Sequence, residues 1–101
     1  MIIIDVRTPE EYQESHIKGA INFPLGDLQE NSATSQQVTD RLGENYSDVT
    51  LDTPLKLHCA SGGRSSMACV IFRKLGFTDV ENLGGFNDAC KCVEGMNMAG
   101  K

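Results

Sequence analysis

The residues best equipped for chemistry are Cys59-Ala60-Ser61-Gly62-Gly63-Arg64-Ser65, where a cysteine ends the apolar run Leu55-Lys56-Leu57-His58 and a glycine-containing loop leads to an arginine and two serines. If the run is a strand and the residues after the loop open a helix, successive backbone N–H groups can turn inward as an anion-binding nest. The helix end adds about half a positive charge. Arg64 adds a full one. Such surroundings lower thiol pKa values to roughly 3.5–7.5, so Cys59 is expected to be a thiolate nucleophile near neutral pH. A cysteine at a strand end is otherwise a small packing residue. The arginine at the loop exit and Ser65, placed to cap the helix, set this one apart.

Loop length separates two chemistries. Cysteine-dependent phosphatases use C-x5-R, wide enough for a tetrahedral phosphate in front of sulfur, whereas Cys59 and Arg64 are in C-x4-R spacing. The tighter ring suits an anionic sulfur carried on Cys59. A phosphatase or arsenate reductase is the runner-up, and a non-catalytic binding module is a third reading that would predict a missing nucleophile.

Asp5 and Arg7 fall at the end of the first apolar run, the edge of an α/β sheet where ligands usually bind. They are candidate substrate contacts; the competing reading is a buried ion pair holding the strand end to a helix at Glu10 or Glu11. His58 precedes Cys59 on a strand, so its side chain should face the other way, as a satisfied core histidine. Cys69 lies on an apolar helix face. Cys90 and Cys92 form a C-x-C without a second pair, short of the four ligands of a structural zinc site. No disulfide framework, metal or cofactor is expected, and a resolving thiol among these three is kept as an alternative.

The elements that must position Cys59 can be read from periodicity and caps. Ile2-Ile3-Ile4 is a buried strand. Thr8-Pro9-Glu10-Glu11 has a cap, a proline at the first helical position and a glutamate three residues on, which predicts a short helix through Glu14. Ala20 to Phe23 is a second strand closed by Pro24, and residues 26–52 hold one or two modest helices. Leu55 to His58 is the third strand and Ser65 to Leu75 a helix ended by Gly76 in the αL position, with Phe77 placed for the accompanying contact. Asp79 to Leu83 is the fourth strand, and Asn87 to Val93 a closing helix. The alternation predicts a parallel α/β sheet.

Taken together, these segments resemble single-domain rhodaneses over nearly the whole chain. The resemblance is carried by Asp5-Val6-Arg7 with Pro9-Glu10-Glu11-Tyr12, by His16-Ile17-x-Gly19-Ala20-Ile21-Asn22, by Cys59 to Ser65, by Leu75-Gly76-Phe77 and by Asn82-Leu83-Gly84-Gly85. It implies a rhodanese-like three-layer α/β fold with a central parallel sheet flanked by helices. It further implies a persulfide on Cys59 whose outer sulfur is cradled by amides of Ala60, Ser61, Gly62, Gly63, Arg64 and Ser65. Like the short phage-shock-type members, some of them exported, the chain starts directly at the Asp-Val-Arg segment. Many members have an aromatic residue near the position of Ala89, so the pocket rim is expected to be more open here.

Bulk properties narrow the rest. A chain of 101 residues fits one domain spanning 1–101. The net charge of −5 and pI near 4.8 leave no broad basic face for nucleic acid. The apolar runs fall short of the roughly 20 residues that span a bilayer, so no membrane partner is expected. Without a charged segment preceding a long apolar one, a cytoplasmic monomer is expected, with a periplasmic mature form as the alternative. The expected reaction moves a sulfane sulfur from thiosulfate or another persulfide donor to cyanide or an acceptor thiol, for instance of a thioredoxin-like protein.

Overall fold

The computed structural model describes residues 2–30, 34–44, 46, 48–60 and 62–92. Four strands, β1 (Ile2–Asp5), β2 (Ile21–Asn22), β3 (Leu55–His58) and β4 (Val80–Gly84), form one sheet in the order β2-β1-β3-β4. Every neighbouring pair is parallel. Such a sheet needs a crossover between strands, and those crossovers are α1 (Pro9–Glu14), α2 (Leu25–Glu30), α3 (Ser35–Leu42) and α4 (Gly63–Lys74), with α5 (Phe86–Cys92) following β4.

Both sheet faces are covered, which explains why β1 is buried at all four positions and reads as a continuous apolar run. Ile2, Ile4, Leu55, Leu57 and Val80 pack with Leu28, Val38, Leu42, Ala68, Cys69 and Phe72 of α2, α3 and α4. Ile3 and Leu83 pack on the other face with Ile17, Ala20 and Ala89, beside Tyr12 of α1 and Phe86 of α5. The expected three-layer α/β architecture is therefore present. Ala89 is buried within that second cluster, so it forms no pocket rim.

Local signals place the helix ends. The Thr8 side chain accepts from the Glu11 amide while Glu11 reaches back to the Thr8 amide, a complete capping box. Thr34 and Gln37 build the same device on α3. At the end of α4, the Gly76 and Phe77 amides reach the Arg73 and Phe72 carbonyls, and the Phe77 and Phe72 rings meet edge-on at 5.7 Å. Gly76 has φ 107°, so the expected αL stop is present.

α4 begins at Gly63, two residues earlier than expected, and its N-cap is Gly62 with no side-chain cap. Ser65 therefore stands inside the first turn. Pairing of β3 with β4 shifts between Leu57 and His58, whose partners are Asn82 and Gly84. Leu83 is the extra residue. Val80 and Leu83, three positions apart, are buried on opposite faces as strand alternation requires, and the irregularity bends β4 where it meets the Cys59 loop.

Candidate active site

Cys59 follows β3 directly, its backbone N–H held by the Gly84 carbonyl at 3.1 Å. Its side chain shares the sheet face of Leu55 and Leu57 and is completely buried. The Gly62 backbone N–H donates to Cys59 Sγ at 2.8 Å, and Gly62 is the N-cap of the twelve-residue α4. The sulfur thus lies at the positive end of a helix, against an amide whose orientation the turn fixes. Gly62 has φ 98°, a conformation that residues with a Cβ rarely adopt. The loop sequence is suited to that turn for a backbone reason.

A second set of hydrogen bonds ties the loop to β4. The Ser65 hydroxyl is buried and lies 2.7 Å from Asn82 Oδ1 and 3.1 Å from the Gly62 carbonyl. Asn82 Oδ1 also accepts the Gly84 N–H at 2.8 Å. The Phe86 amide reaches the Ala60 carbonyl at 3.3 Å. Ser65 therefore acts as a strap to the β4 end and not as the helix cap expected from sequence. Asn82 stood in a recognised motif, but its part in this strap depends on β4 bending toward the loop. No periodic pattern carries that information.

Arg64 is oriented by a residue 53 positions away. Its Nη1 and Nη2 donate to Glu11 Oε1 and Oε2 at 2.9 and 3.1 Å. Hydrogen bonding to Arg64, then to the Thr8 amide, holds the Glu11 carboxyl down to about 2. The Arg64 guanidinium is held further toward its charged form, chiefly by Glu11 and more weakly by the charge of Cys59. The full positive charge expected to act alone at the loop exit is thus paired. Glu11 was legible as a capping residue, whereas its distant partner was not.

Asp5 and Arg7 lie behind the loop on the opposite sheet face. Arg7 Nε and Nη2 donate to the Asp5 carboxylate at 2.9 and 2.7 Å, and Nη2 also reaches the Ser15 carbonyl at 2.7 Å. Asp5 is 0% exposed and Arg7 6%. The ion pair is internal to the strand end and ties it to the end of α1 through Ser15, in place of the Glu10 or Glu11 contact anticipated. His58 shares that face, with Nε2 3.8 Å from Asp5 Oδ2 and no hydrogen-bond partner for that nitrogen. It is a core histidine, as expected, but not a fully satisfied one. Burial lowers its pKa, opposed by the Asp5 charge. Phe86 packs beside both, 4.5 Å from the Arg7 guanidinium and 5.8 Å from the His58 ring.

The remaining residues divide as follows. His16 stacks on Tyr12 with centroids 3.9 Å apart and bonds the Tyr12 carbonyl, the structural role expected. Cys69 is buried, and burial pushes its thiol up. Cys90 is half-buried against the second core cluster. Ser61 and the Cys92 side chain lie outside the described residues. No cluster of metal-ligating side chains occurs among the described residues, and none of the described helices is long and apolar enough to cross a membrane.

A thiol at a helix N-terminus that accepts a backbone N–H beside an arginine is equipped for nucleophilic attack on sulfur. The chain matches the rhodanese-like domain family over residues 1–92. It is 40% identical over 85 residues to the thiosulfate sulfurtransferase PspE of Escherichia coli, covering 84% of this chain and 70% of that one. A solved structure described as a rhodanese with anions from E. coli superposes with a TM-score of 0.63 at 37% identity, over 86% of this chain and 88% of the other. The human single-domain sulfurtransferase TSTD1 superposes with a TM-score of 0.70 at 26% identity, over 89% and 80%. The chain therefore belongs to the rhodanese-like family and is an enzyme of the sulfurtransferase type.

Proposed function

We propose that the chain, as one rhodanese domain over residues 1–101, takes the outer sulfur of thiosulfate onto Cys59 and passes it to cyanide or an acceptor thiol. The observation that carries this reading is the Gly62 N–H donating to Cys59 Sγ at 2.8 Å at the start of α4. In the first step the Cys59 thiolate attacks the sulfane sulfur, the S–S bond of thiosulfate breaks, and sulfite leaves with the bonding pair. In the second, cyanide attacks the outer sulfur of the persulfide, and thiocyanate leaves as the Cys59 thiolate returns. No net redox change or external proton is needed with cyanide.

The Gly62 amide that faces Sγ also serves the persulfide anion, which is larger but equally negative. Donor binding is assigned to the loop residues Ala60, Gly62, Gly63 and Ser65, with Ser65 holding the loop's shape through Asn82; Ser61, assigned with them from sequence, lies outside the described residues. Arg64 stands at the loop exit. Cys59 is wholly buried at rest, so a donor must displace part of the loop to reach Sγ. On its outer side Gly63 leaves room, since a Cβ there would meet nothing within 4 Å. Asp5 and Arg7 support the strand end beneath the loop and do not contact the donor. A thiol acceptor, such as a thioredoxin-like protein, takes the place of cyanide in the cell. We place the chain as a monomer in the cytoplasm, with the periplasm as the alternative.

Purified protein incubated with thiosulfate and cyanide should form thiocyanate, and should release no phosphate from an aryl phosphate. Cys59-dependent phosphate release without thiocyanate formation would reverse the assignment in favour of the phosphatase reading.

A further inference from the structure

Arg7 and Arg64, the arginines beneath and at the exit of the Cys59 loop, are both committed to carboxylates. Arg7 is locked to Asp5 beneath the loop, and Arg64, whose side chain is 37% exposed, gives both terminal nitrogens to Glu11. Glu11 is itself fixed. Its Oε1 also accepts from the Thr8 amide and faces the Thr8 hydroxyl, at 3.0 and 3.1 Å, because the capping box of α1 points it toward α4. The loop exit therefore presents a neutral pair, in a chain whose net charge is −5.

We propose that Glu11 is a charge-selecting and positioning residue for the Cys59 site: by neutralising and orienting Arg64, it leaves anionic donors to the loop amides alone and so lowers affinity for a dianion more than for a monoanion. This rests on the sulfurtransferase reading above and deepens it. Weak retention of anions is useful in a two-step cycle, because the sulfite formed in the first step carries the same charge as the donor and must leave before the acceptor enters. The device differs from a structural salt bridge in one respect that can be measured. Its effect must scale with the charge of the ligand.

The test uses Glu11→Gln, which keeps a side chain able to serve the capping box while removing the charge. KM is measured at low ionic strength for thiosulfate, a dianion, and for benzenethiosulfonate, a monoanion. For a unit charge about 6 Å from the ligand in water-like surroundings, removal should lower KM about tenfold for the dianion and about threefold for the monoanion. Arg64→Gln, which leaves Glu11 unopposed, should shift the ratio of the two KM values the other way. The double variant should bring that ratio back toward the wild-type value. Equal changes for both donors, a raised thiosulfate KM in folded Glu11→Gln, or a double variant no better than Arg64→Gln would overturn the proposal.

A readout without sulfur transfer separates this from failure of the parent reading. Iodoacetate and iodoacetamide alkylate a thiol as an anion and as a neutral reagent, and peptide mapping follows the product at Cys59. Glu11→Gln should raise the iodoacetate-to-iodoacetamide rate ratio about threefold. An unchanged ratio in folded protein sinks the charge-selecting role even if thiosulfate turns over, whereas a raised ratio without turnover would sink only the sulfurtransferase reading. If Glu11→Gln fails to fold by circular dichroism, the Arg64→Gln variant gives the same comparison with the opposite sign, a fall in the ratio, and no change there counts against the proposal.

Discussion

The Gly62 backbone N–H stands 2.8 Å from Cys59 Sγ, and it can do so because Gly62 turns the chain at φ 98°. An alanine there would place a Cβ 3.5 Å from the Gly84 backbone, which is ordinary contact. The penalty is therefore in the backbone angle and not in space. Gly62→Ala should lose about 1–3 kcal/mol of stability and should turn the amide away from sulfur. A thiolate absorbance titration should show the Cys59 thiol shifted upward, with kcat/KM for thiosulfate down at least about tenfold. An unchanged titration would assign thiolate stabilisation to the helix end alone.

Ser65 tests the strap between α4 and β4. Its hydroxyl is buried and reaches Asn82 Oδ1 and the Gly62 carbonyl. Ser65→Ala removes those bonds while leaving a side chain that fits, and it should cost about 1–2 kcal/mol in urea unfolding. Because Asn82 Oδ1 keeps the Gly84 N–H, the loss should stay in that range. A variant as stable as wild type would show that the loop is held without the strap.

Much of this site is legible in the amino-acid sequence. Cys59, the glycine turn and the α4 start follow from a strand, a breaker and a helix pattern written consecutively, and the Thr8 to Glu11 capping box is a local code. What could not be read were the pairings across the fold. Glu11 meets Arg64, and Asn82 meets Ser65, only because parallel crossovers return each strand end to the same edge of the sheet. Glycine's poor helix propensity makes the sequence point to Ser65 as the start of α4, yet Gly63 and Arg64 are held in the first turn. Ser65 therefore reads as a cap in the sequence alone.

Two groups give stability a pH dependence with the same sign and separate windows. His58 is buried with its pKa lowered, so protonation is easier in the unfolded chain than in the folded one. Its share of stability is fully present above the unfolded value of about 6.5 and is lost as pH falls below it. Urea midpoints should drop between pH 7.5 and 5.5, and His58→Gln, though less stable, should lose most of that slope. A wild-type midpoint that is flat over this interval would contradict the burial argument.

Glu11 acts lower. Its carboxyl is held down to about 2 from 4.5, so the Arg64 pair contributes fully above pH 4.5 and is lost as pH falls toward 2. With both side chains about one-third exposed, the contribution is expected to be small and to weaken with salt. Glu11→Gln should flatten the acid limb of the stability curve at low ionic strength and change it little in concentrated salt. A salt-independent effect would point to packing instead.

A single thiol carries sulfur in this mechanism, and with four cysteines in the chain its identity is directly measurable. Cys59 alone among those whose side chains are described accepts a backbone N–H at a helix start, whereas burial pushes Cys69 away from its thiolate. After incubation with thiosulfate, intact-mass measurement of the wild-type chain should show one added sulfur atom, mapped to the peptide containing Cys59. Cys59→Ser should lose both the adduct and thiocyanate formation. A combined Cys69, Cys90 and Cys92 to serine variant should keep both. An adduct mapped to Cys90 or Cys92, or a folded triple variant without activity, would contradict the single-thiol account and require a relay of two.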